Sequence, residues 1–111
     1  MKVAESRTKK EKEFIEDCLK NEVDEVRRLL KEEKVNVNCF DEFHQTPCYH
    51  AASKGHLQIL EILKDFNADF EIECFSSSLS QLPSTPLEAA QANHHQNCVE
   101  FISKILNESK V

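Results

Sequence analysis

Five cysteines and five histidines carry most of the chemical reach in this 111-residue chain. His94 and Cys98 stand four apart, and Cys48 and His50 stand two apart, and either spacing could meet one metal ion. A closed zinc site needs four ligands at fixed spacing, typically with paired cysteines, and no Cys-x-x-Cys occurs here. A catalytic thiol needs an electropositive setting and an oriented imidazole. No cysteine has a basic neighbourhood in sequence. A single glycine is too few for a phosphate-cradling loop or a dinucleotide motif. The residues therefore predict no enzyme, no catalytic group, no cofactor and no metal. A metal or redox sensor built on Cys39, Cys74 and the histidines ranks behind two other readings.

Composition narrows the setting. The length fits one domain. A net charge of -6 with pI near 5.3 argues against nonspecific attraction to nucleic acid or to an anionic membrane face. Lys9, Lys10 and Lys12 form the only basic cluster, and acids surround them. Apolar runs are a few residues long, too short to span a bilayer. The first twelve residues lack the apolar segment of a secretory signal. An odd number of cysteines without that signal predicts reduced thiols inside the cell, in the cytoplasm or the nucleus.

The elements that would position any site are legible around Thr46 through Leu63. Thr46 can cap a helix, Pro47 suits its first position, and Gly55 can end it in a left-handed turn. Leu57, Ile59, Leu60, Ile62 and Leu63 then recur at helical spacing. Neither helix is long enough to persist alone in water. Copies lie on both sides. Thr85-Pro86-Leu87-Glu88-Ala89-Ala90 repeats the opening, and Cys98-Val99-Glu100-Phe101-Ile102 repeats the second helix. Upstream, Asn21 through Leu30 aligns with Gly55 through Lys64. Offsets of 34 residues (Asn21 to Gly55) and 39 (Thr46 to Thr85) predict stacked helix pairs in a solenoid.

The pattern resembles the ankyrin repeat, whose core reads Thr-Pro-Leu-His-x-Ala at a period of about 33 residues. The middle copy, Asp41 through Glu73, carries Thr46-Pro47, Ala51-Ala52, Gly55-His56 and Asn67-Ala68-Asp69. The resemblance spans roughly residues 12–106. It implies an all-α solenoid of three helix-turn-helix repeats with projecting turns, or fingers. Repeats fall at about 11–40, 41–73 and 74–107, after a flexible lead over 1–10 and before a tail over 108–111. Cys48 and Tyr49 replace the usual Leu and His of the middle signature, and Glu88 replaces the His of the third. His44, Asn67 and His94 stand where the family uses glycine, which predicts positive φ at each. The second finger, 70–84, holds an insertion of about six residues relative to the family period. Its serine-rich part, 76–84, reads as a mobile loop.

Ankyrin repeats as a rule bind other proteins and do no chemistry. The resemblance thus implies an adaptor or regulator that meets a protein partner on its concave surface and fingers. Phe40, Phe43, Tyr49 and Phe75 are the expected anchors, with Glu42, Gln45, Ser53, Lys54, Ala92 and Asn93 around them. Only one of Phe40 and Phe43 is expected to cover the core. The acidic balance suggests a partner with a basic patch. A monomer is expected, and neither nucleic acid nor membrane is an expected partner. The alternative is a structural subunit that self-associates or caps an assembly through its repeat ends.

Overall fold

A computed structural model describes residues 9–75 and 82–108. Six helices follow in chain order: α1 (Lys9–Leu19), α2 (Val23–Lys31), α3 (Pro47–Lys54), α4 (Leu57–Asp65), α5 (Pro86–Ala92) and α6 (Gln96–Glu108). The expected all-α repeat architecture is borne out. Helices pair as α1 with α2, α3 with α4 and α5 with α6. α1, α3 and α5 stack in an inner row, and α2, α4 and α6 in an outer one. α1 already includes Lys9 and Lys10, and α6 runs through Glu108, so the helical body reaches slightly past 11–107 at both ends. The remainder of the expected lead (1–8), of the tail (109–111) and of the serine-rich loop (76–81) lies outside the described residues.

Local sequence explains where each inner helix begins. Thr46 Oγ1 accepts a hydrogen bond from Tyr49 N at 3.2 Å, and Pro47 opens α3 without wasting a donor. α5 uses a full capping box. Glu88 N donates to Thr85 Oγ1 at 3.2 Å, and Thr85 N donates to Glu88 Oε1 at 2.9 Å. That return bond gives Glu88 a local reason to stand where the family has His.

The turns share one backbone device. Asn21, Gly55 and His94 occupy the left-handed region after α1, α3 and α5, with φ of 61°, 77° and 62°. Lys34 (53°) and Asn67 (64°) do so after α2 and α4, and His44 (59°) does so in the first finger. The expectation for His44, Asn67 and His94 therefore holds. Asn21 and Lys34 extend it to residues the sequence did not flag. Each non-glycine there carries a Cβ against its own carbonyl, at a cost of roughly 1–2 kcal/mol.

One apolar core runs through all three pairs. Phe14, Leu29, Ile59, Leu60, Leu63 and Ile102 are among its fully buried side chains. Polar bonds then fix adjacent repeats. His56 Nδ1–H donates to Cys18 O at 3.1 Å, and the equivalent His95 donates from Nε2–H to Ser53 O, also at 3.1 Å. Asp69 N donates to Asn38 Oδ1 at 2.8 Å. Gly55 lets His95 come close: a Cβ there would stand 2.6 Å from the imidazole. On the solvent face of α2 Arg28 pairs with Glu25 in a bidentate contact at 2.8 and 2.9 Å. A span of three residues presents the carboxylate squarely to the guanidinium fork, and Asp24 meets Arg27.

Candidate partner-binding surface

The first finger is built by one side chain. Asp41 Oδ1 accepts from Phe43 N (2.9 Å) and Gln45 N (3.0 Å), while Asp41 N donates to Gln45 O at 3.1 Å. His44 N donates to Asp41 O at 2.9 Å. The second carboxylate oxygen, Oδ2, meets His50 Nε2 at 2.8 Å and anchors the loop to α3. This Asx-type turn leaves little choice about where its residues point. Phe43 projects at 61 % exposure. Phe40 lies half-buried and stacks on His44, ring centroids 5.0 Å apart. Phe43 is thus displayed, while Phe40 lays its ring on His44 and not in the shared apolar core. Asp41 and His50 had not been singled out as partners. An acid at the start of a short turn was the available signal.

The second finger stands beside the first. Cys74 and Ser84 form an isolated antiparallel bridge, with both N–H···O distances at 2.7 Å. Phe75 and Leu82 flank it, exposed at 43 % and 77 %. The Gln45 side-chain amide donates to Phe75 O and ties one finger to the next. With Phe43, these two are the exposed large hydrophobic residues among those described. Leu82 is the one sequence reading missed, because its serine-rich neighbours marked it as loop and gave no sign of side-chain direction.

Tyr49 is a correction. It was expected as an anchor, but its ring is buried against Cys74 and Ala89, beneath the second finger. The bulk that replaces the family's His fills the space between α3, α5 and that finger. No aromatic face is left for a partner.

The remaining candidates gather elsewhere. Ser53 is half-buried, and Lys54, Ala92 and Asn93 are exposed, all at the C-terminal ends of α3 and α5. Asn93 Nδ2 donates to Ala89 O at 2.9 Å and reaches Ser53 Oγ at 3.5 Å. These residues lie about 12 Å, the length of an eight-residue helix, from the fingers. The structure therefore splits the predicted set into a finger row (Phe43, Phe75, Glu42, Gln45) and a helix-end patch. Between α1 and the first finger runs a groove lined by Lys12, Ile15, Glu16, Leu19, Glu42 and Phe43.

The residues with reactive side chains are committed to structure. All five thiols are free and buried. Burial raises each above the ordinary thiol range, Cys39 to about 12. A thiol held protonated is a poor nucleophile and a poor metal ligand. His50, His56 and His95 are each hydrogen-bonded within the fold. Among the described residues, no three Cys, His, Asp or Glu side chains gather as a metal-ligating group. No described helix is long and apolar enough to cross a membrane.

Known proteins agree with this architecture. Residues 15–110 match the family described as ankyrin repeats, in three copies. The human ankyrin repeat domain-containing protein 49 is 46 % identical over 50 residues, covering 45 % of this chain and 21 % of the relative. The 26S proteasome non-ATPase regulatory subunit 10 of Dictyostelium discoideum is 27 % identical over 93 residues. That match covers 84 % of this chain and 38 % of the relative. The chain thus aligns with well under half the length of either relative.

Proposed function

Since the chain belongs to the ankyrin-repeat family, we infer that it is a protein-interaction module, an adaptor or regulator without chemistry of its own. One observation carries this reading. A fold that buries its apolar residues throughout α1–α6 still displays Phe43 and Phe75 on adjacent, hydrogen-bonded fingers. Exposed aromatic rings held by a rigid turn are the residue type that most often anchors an interface. A relative named as a subunit of a large assembly is in keeping with such a role. The module acts inside the cell as a monomer.

Cross-linking of the full chain to its partners in native extract, followed by mass spectrometry, tests this. The expected cross-links fall on the concave side, the fingers above all. Phe43→Ala should weaken recovery of at least one partner, and Lys54→Ala probes the ends of α3 and α5. Full recovery of every partner by both variants would remove this face from consideration. Light scattering at several concentrations should show a monomer. A dimer would favour the alternative, self-association through the repeat ends.

A further inference from the structure

We propose that the finger edge, and not the helix-end patch, is the docking site, and that its occupant is a basic peptide segment with interspersed apolar side chains. The inference rests on the protein-binding reading and goes further by naming the surface and the chemistry of what it holds. Phe43 on the first finger and Phe75 and Leu82 on the second supply the apolar contacts, and the Gln45 amide ties the two fingers.

Charge identifies the occupant. Lys and Arg are numerous in the chain as a whole, 14 against 20 acids, but they avoid the fingers. From residue 35 to 53 there are two acids, Asp41 and Glu42, and no Lys or Arg. From residue 66 to 95, the second finger and α5, there are four acids, Asp69, Glu71, Glu73 and Glu88, again with no Lys or Arg. Glu71 and Glu73 are exposed within the second finger, one turn of chain from Phe75. The carboxylates of Asp41, Asp69 and Glu88 are fixed in position by bonds to backbone N–H groups or imidazole. The fields of these carboxylates add along the edge, with Lys12 on α1 the cation lining the adjoining groove. An acidic or neutral segment meeting the rings would find no partner for its charge. A segment carrying Lys or Arg between apolar residues would satisfy both features at once, and the carboxylates would speed its encounter.

The helix-end patch lacks this pairing. Lys54 is its only charge among Ser53, Ala92 and Asn93, and no large apolar side chain is exposed there.

A random peptide library displayed on phage, selected on the immobilised full chain, tests the inference without knowledge of the natural partner. Enriched peptides should contain Lys or Arg together with aromatic or branched apolar residues. Fluorescence anisotropy on synthetic copies should then show weaker binding as salt rises. The double variants Phe43→Ser with Phe75→Ser and Glu71→Lys with Glu73→Lys should each weaken binding about tenfold or more. All these side chains are exposed, so a circular dichroism melt should match the parent chain, as should one for Gln58→Ala on the outer row, which should bind unchanged. Enriched peptides that are acidic or neutral would overturn the inference. So would peptides that lose affinity in Lys54→Ala with Asn93→Ala but not in the finger variants; that result leaves the protein-binding reading intact. A library yielding no binder, with no finger cross-link in native extract, would overturn both.

Discussion

Gly55 shows how much one residue type can fix. Its φ of 77° suits a residue without Cβ, and the space that Cβ would fill is taken by the His95 ring, 2.6 Å away. Gly55→Ala would set a left-handed cost against L-residues and push the imidazole from Ser53 O. We expect a loss of roughly 2–3 kcal/mol from the two effects, read as a lower urea midpoint. Lys34 is the converse case. It sits at φ 53° with its side chain exposed to solvent. Lys34→Gly should raise stability by roughly 0.5–1 kcal/mol, the relieved strain exceeding the entropy that glycine adds to the unfolded chain. Equal midpoints for parent and variant would mean that the turn is not strained. The same scale shows why only part of the candidate surface was legible. Asn and His at glycine positions announced positive φ, because few other residues tolerate it. Whether Tyr49 would face a partner or the core was not encoded locally. It depended on Cys74 and Ala89, 25 and 40 residues on, closing over its ring.

At the level of helices, caps and turns decide more than propensity does. α5 has seven residues, far below the length at which a helix holds in water. The Thr85–Glu88 capping box satisfies two donors at its start. Thr85→Ala should cost about 1 kcal/mol. Hydrogen exchange should show the loss concentrated in the amides of α5 and at the α5–α6 turn, with α1 and α2 unchanged. Uniform loss across all six helices would instead mean that the solenoid opens as one body. The helices were readable from sequence for this same reason: Thr-Pro openings and 3.6-residue apolar spacing are local signals, and their recurrence located six helices in three pairs. The fingers were not readable to the same depth. Asp41 organises the first by bonds to residues two, four and nine positions on, and the bridge between Cys74 and Ser84 joins positions separated by the inserted loop. Such contacts follow from tertiary geometry and leave no periodic trace.

The molecule as a whole couples its repeats through one core, and its cysteines report on that coupling. Cys18, Cys39 and Cys48 belong to the shared core along with Cys98, and Cys74 lies with Tyr49 and Ala89. None is more than 1 % exposed, so an aromatic disulfide reagent at pH 8 can reach them only when the fold opens. Five thiols should react per chain in denaturant, and in buffer they should react at a rate that follows unfolding. Alkali adds a thermodynamic version of the same test. Burial raises every thiol above its ordinary value of 9.0, so above about pH 9 the unfolded chain loses protons that the folded chain retains. Fewer protons on the unfolded state than on the folded one means that stability falls as pH rises. The stabilisation is complete below pH 9 and drains through the window toward the folded value, about 12 for Cys39. Each deeply buried thiol contributes a slope of up to roughly 1.4 kcal/mol per pH unit there. Urea midpoints should therefore hold steady from pH 7 to 8.5 and drop steeply by pH 10. Cys48→Ala should soften the drop while lowering the neutral-pH midpoint through the lost sulfur packing. A midpoint that stays level to pH 10 would mean that the thiols ionise in place, and that the core between repeats is wetter than the one described.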